Sequence, residues 1–131
     1  MTNMRIENNI FSQPTTAAIR FATFHSEVPS GWTVTIANNL TDAGYIAQLD
    51  QEPVGTITND PTITGFTYSN NKKSTNPLLV NITTLPFDFH LQSSSPAINA
   101  GMTLTSDVTT DFDNISRPQG PAFDIGAYEW H

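Results

Sequence analysis

The 131-residue chain has 12 acidic and five basic side chains, for a net charge of −7. No surface of it can neutralise a run of phosphates, so nucleic acid is a poor partner, and the same sign disfavours anionic lipid surfaces. Cysteine is absent, which removes disulfides and thiolate sites, and no apolar run approaches the roughly 20 residues that span a bilayer.

The length fits one domain, residues 1–131. Only 13% of residues are charged, while Thr, Asn and Ser abound, a mixture that favours strands and turns over helices. An all-β fold is the expectation.

The opening MTNMRIENNIF lacks the basic segment and long apolar core of a signal peptide, so export would require a signal outside this chain. A repeat begins here. Met4-Arg5-Ile6-Glu7-Asn8-Asn9-Ile10, Val34-Thr35-Ile36-Ala37-Asn38-Asn39-Leu40 and Phe66-Thr67-Tyr68-Ser69-Asn70-Asn71-Lys72 start at residues 4, 34 and 66, offsets of 30 and 32. Each copy alternates apolar with other residues and then places two Asn, the pattern of a strand with one buried face that ends at a sharp bend. Met4/Ile6, Val34/Ile36 and Phe66/Tyr68 are expected inside, with Arg5, Glu7, Thr35, Ala37, Thr67 and Ser69 outside. The paired Asn should sit at one corner of successive turns, where side-chain amides can bond one another. The first strand, Met4 to Asn9, should be an exposed edge, either because this is the C-terminal piece of a longer protein or because a second copy of the chain covers it as a homo-oligomer.

Residues 18–24, with Ile19 and Phe21 inward, read as a further strand. Residues 44–49 and 54–57, then 78–80, read as its equivalents in later turns. A loop from His25 to Gly31 would account for a period longer than three short strands require. Nine prolines punctuate the chain and leave only a short helical turn over Ser95 to Ala100, N-capped by Ser94 or Ser95 and ended by Gly101. The expected division is coils over 1–90 and a C-terminal cap over 91–131.

The last third carries a specific resemblance. Asp88, Phe89, Leu91, Ser95, Pro96, Ala97, Ile98, Ala100 and Gly101, then Asp111, Asp113, Arg117 and Pro118, then Asp124-Ile125-Gly126-Ala127-Tyr128-Glu129 resemble the C-terminal end of bacterial extracellular right-handed parallel β-helix proteins of the choice-of-anchor Q type. The match covers about a third of the chain. It implies a short right-handed parallel β-helix of about three to four coils with a C-terminal cap, an extracellular or cell-surface location, and an association with polysaccharide. Relatives of this kind are frequently polysaccharide lyases or glycoside hydrolases.

Few residues can carry such chemistry. Arg5 and Glu7 are weak catalytic candidates on the outward face, and a glycosidase needs two carboxyl groups roughly 5 to 9.5 Å apart. His25 and Glu27, in the loop, are the other weak catalytic pair; with Phe24 and Trp32 they form an aromatic and polar cluster suited to a sugar ring. Asp88 and His90 flank Phe89 in a strand, a spacing that strand alternation alone often produces. Asp107, Asp111, Asp113, Asp124 and Glu129 form the densest acidic group, with Asp111, Asp113 and Asp124 weak calcium candidates. Arg117 lies among them, and a guanidinium fork onto Asp113 or Asp124 explains the same residues without an ion. The favoured reading is a non-catalytic terminal module that contacts polysaccharide; a small lyase or hydrolase, or a structural or adhesive module assembling through its first strand, are the alternatives.

Overall fold

The computed structural model describes residues 3–14, 17–23, 31–51, 56–62 and 64–131; among these it is all β, with several small sheets, none closed, and no helix. The repeat forms the central sheet. Strands β1 (Asn3–Glu7), β4 (Thr33–Ala37) and β8 (Phe66–Ser69) lie parallel in that order. Met4 aligns with Val34 and Val34 with Phe66, while Ile6, Ile36 and Tyr68 align in the same way. The alternation sets the core as expected: Val34 and Ile36 are buried, and Phe66 and Tyr68 pack against them. Met4 departs from this, at 40% exposed, because β1 is an edge strand.

The corner after the first two strands continues as β2 (Ile10–Phe11), parallel to β5 (Leu40–Thr41), and Leu40 bridges Lys72 in parallel. Strand β3 (Ala17–Thr23) pairs in parallel with β6 (Tyr45–Gln51), and Ile19 and Phe21 contribute to the core as expected. The later strands differ from expectation. β7 (Thr56–Asn59) runs antiparallel to β6, and β9 (Leu79–Asn81) antiparallel to β10 (Asp88–Leu91). The connections explain this. Residues 52–55 and 82–87 are too few for a parallel crossover, which needs a dozen or more residues, but long enough for a hairpin.

Each Asn pair divides its labour. The first Asn takes the bend: Asn8, Asn38 and Asn70 have φ of 57°, 52° and 53°, the left-handed region that Asn tolerates better than most side chains. The second Asn builds a ladder. Asn9 donates from its backbone N and Nδ2 to Asn39 Oδ1 at 3.0 and 2.9 Å, and Asn39 donates likewise to Asn71 Oδ1 at 3.0 and 3.1 Å. In return, Asn39 Nδ2 donates to Ile6 O at 2.8 Å and Asn71 Nδ2 to Ile36 O at 2.7 Å. Asn39 is fully buried, so these bonds satisfy a side chain that would otherwise be costly inside.

The last third of the chain runs back along this corner past the Asn pairs. Ser95 Oγ donates to Pro77 O, six residues beyond the third pair. Asn38 Nδ2 donates to Ala100 O at the second. Asn8 and Met102 exchange two bonds of 2.7 Å at the first. Ala37, expected outside, is fully buried, one residue before the Asn38 that this strip holds. The expected helical turn over 95–100 is instead a run of tight turns, with Ile98 N bonding Ser95 O and Ala100 N bonding Ala97 O. It ends at Asn99, whose φ is 53°, rather than at Gly101. A second core cluster forms where strip and corner meet: Leu40, Leu91, Ala97 and Ile125 are buried together, with Ile10 and Leu79 against them.

Candidate functional site

Two features near the C-terminus gather polar and aromatic side chains, and both follow from the strip's path. The first is centred on His90 in β10. Its Nδ1 lies 2.6 Å from Asp88 Oδ1 and its Nε2 2.8 Å from Asp113 Oδ2, and its ring stacks on Tyr128 with centroids 4.0 Å apart. With a carboxylate at each ring nitrogen, the imidazolium is the form that satisfies both bonds. The hydrogen bonds to Asp113 and Asp88 accordingly raise the His90 pKa above its ordinary value. Bonds from the His90 backbone amide and ring lower that of Asp88. The Asp88–His90 pair is therefore more than an accident of alternation, and its third member is Asp113, 23 residues away from His90.

Around this node the surface is aromatic. Phe112 meets Tyr128 edge-on at 5.7 Å, and Phe87 lies 6.1 Å from Phe89. Phe87, Phe89, Phe112 and Trp130 are all exposed. On the other flank of Phe89 opens a groove of about 500 Å³ with Asn8, Asn9, Ile10, Phe11, Ser12, Leu79, Gly126 and Ala127 in its walls, none of them ionisable. Gly126 makes it possible for the strip to approach this closely: its φ is 112°, its N donates to Asn8 O at 2.9 Å, and a β-carbon there would come within 2.8 Å of Ile10 Cδ1.

The second feature is the buried network around Arg117. Its guanidinium bonds Gly126 O at 2.8 Å and Asp124 O at 3.3 Å and pairs with Glu129 at 3.3 Å, with both charged side chains almost fully buried. The expected Arg117 fork onto Asp113 or Asp124 is thus corrected. Glu129 is the carboxylate partner, because the bend at Gly126 turns it back onto Arg117, while Asp124 offers its backbone carbonyl. The acidic side chains hold backbone amides instead. Asp111 accepts from the amides of Asp113, Ile115 and Glu129, Asp124 from Asn99 and Trp130, and Glu129 from Asp124 and Gln119. Burial would raise the Asp111 pKa, but those amides outweigh it and hold the carboxyl below its ordinary value. Of the calcium candidates, Asp111 and Asp124 engage both oxygens in this way and Asp113 is turned to His90. No group of three or more metal-ligating side chains occurs among the described residues.

Arg5 and Glu7 meet as a salt bridge of 2.6 Å, and Arg5 also reaches Asp107 at 3.5 Å, a partner from the strip that the repeat gave no means of seeing. Beside them on the outward face stand hydroxyls, with Thr67 Oγ1 3.3 Å from Thr35 Oγ1. Trp32 is 40% exposed just before β4, and its carbonyl lies against Gly65. Phe24, His25 and Glu27 lie outside the described residues. The aromatic group of Phe87, Phe89, Phe112 and Tyr128 was not singled out from the sequence; its residues come from segments that only the strip's return brings together. Comparison with family models, curated proteins and solved structures returns no match.

Proposed function

We propose that the chain is a short right-handed parallel β-helix of about three to four coils, a non-catalytic terminal module of an extracellular carbohydrate-associated protein that contacts polysaccharide through the groove beside Phe89. The parallel registers at offsets of 30 and 32 residues and the Asn ladder support the stacked architecture. One observation carries the binding reading: a groove of about 500 Å³ has an exposed aromatic ring at its rim, amide and hydroxyl side chains in its wall, and no charged group. Aromatic faces stack on the C–H face of a pyranose, and amides and hydroxyls match its OH groups. Both the location and the glycan association rest on the resemblance of the C-terminal third.

The test is retention on insoluble polysaccharides together with a turnover assay on neutral and acidic ones. Retention lost in Phe89→Ala, without turnover, supports the module. Absence of retention on every polysaccharide overturns it. Turnover abolished by Glu7→Gln favours the lyase or hydrolase instead.

A further inference from the structure

We infer that the two ends of the stack are complementary and that copies of this chain associate head to tail through them. The inference rests on reading β1, β4 and β8 as successive levels of one stack and is independent of glycan contact.

The ladder has a direction. At each step the Asn of the earlier level donates twice to Oδ1 of the later one, and the later Nδ2 donates back to the carbonyl three residues before the earlier Asn. The two ends are therefore unlike. At the first level, among the described residues, the Asn9 Nδ2 turns instead to Glu7 O of its own strand at 2.9 Å. At the third level, Asn71 N and Tyr68 O occupy the positions that serve the next level elsewhere in the stack. A first level from a second copy can continue both: its Asn9 Oδ1 accepts from Asn71, and its Asn9 Nδ2 donates to Tyr68 O.

The strands agree with this. β1 and β8 are the two edges of the sheet, and among the described residues each pairs with β4 alone. Continuing the register sets Met4 of the second copy against Phe66 and its Arg5 against Thr67. Phe66–Ser69 bears no charge, so no like charges oppose across the new pair. Because the ends differ, the contact is heterologous and does not close at two copies. The net charge of −7 per copy opposes association, so salt strengthens it.

Sedimentation velocity over a concentration series tests this. The intact chain is expected to grow past the dimer, more so at higher ionic strength. Met4→Lys charges the head, and Thr67→Lys sets a like charge against Arg5 at the tail. Each variant alone, checked for folding by circular dichroism, should stay monomeric, while an equimolar mixture should form dimers and stop, since each retains one working end. A strictly monomeric intact chain, association that halts at the dimer, or growth untouched by both substitutions overturns the proposal. Glycan retention measured on the same samples shows separately whether the binding reading stands.

Discussion

Asn9 and Asn39, 30 residues apart in sequence, share two hydrogen bonds that meet at one oxygen, Asn39 Oδ1. That oxygen and the nitrogen beside it serve four groups on three neighbouring residues from a fully buried position. Truncating Asn39→Ala leaves buried amides and a carbonyl without partners and should cost roughly 2 to 4 kcal/mol. Asn9→Ala, at the half-buried end, should cost about 1 kcal/mol. Urea denaturation of the two variants checks the ranking, and equal losses would show that the ladder has no interior advantage.

Asn70 is exposed and holds φ at 53°. Its Asn70→Gly variant should therefore match the parent, whereas Asn70→Val, whose branched side chain resists the left-handed region, should lose roughly 1 to 2 kcal/mol. A valine variant as stable as glycine would remove the backbone explanation for the first Asn of each pair.

Arg117 and Glu129 form a buried pair, 5% and 1% exposed at the side chain. Arg117→Met leaves the Glu129 carboxylate without its cation and should destabilise by roughly 3 to 5 kcal/mol, with Glu129→Gln in the same chain recovering part of the loss. Arg117→Lys should not substitute, because an ammonium cannot reach Gly126 O, Asp124 O and Glu129 together.

His90 titration carries a sign. Its pKa is raised in the folded protein, so its contribution is complete below about 6.5, the ordinary value, and is lost as pH rises through the raised value. Asp88, lowered, contributes above its ordinary 3.8 and loses that contribution as pH falls through its folded value. The His90 side chain is 41% exposed, so the effect on global stability should be small; NMR titration of its ring is the sensitive readout. Asp113→Asn and Asp88→Asn should each bring the His90 pKa down, the first more than the second.

Calcium should leave the thermal midpoint unchanged, in excess metal or in chelator, since Asp111 and Asp124 already spend their oxygens on backbone amides. A rise in midpoint with calcium that Asp111→Asn abolishes would restore these residues as ligands.

The repeat and its corner were legible because they are local: alternation sets the buried face, and paired Asn mark the bend wherever they occur. The antiparallel turns of β7 and β10 were less so, since the same short apolar run fits either direction and only connection length decides. Least legible were the contacts of the strip. That Glu129 rather than Asp113 or Asp124 meets Arg117 depends on the bend at Gly126, and that Asp113 meets His90 depends on where residues 95–102 travel. The second is not encoded within a few residues of the groups concerned, and the first is local only to Glu129.

The return of the strip makes the order of assembly matter. Asn8, at the first bend, finds the partner of its amide in Met102, 94 residues later, and Asn38 finds its own in Ala100. Contacts this distant in sequence slow folding, because the chain between them must be ordered before they form. During synthesis the first corner thus stays incomplete until Met102 has been made. During that interval the free edge of β1 and the bare faces of Ile10 and Leu40 are exposed to other chains, the period when misassociation is easiest.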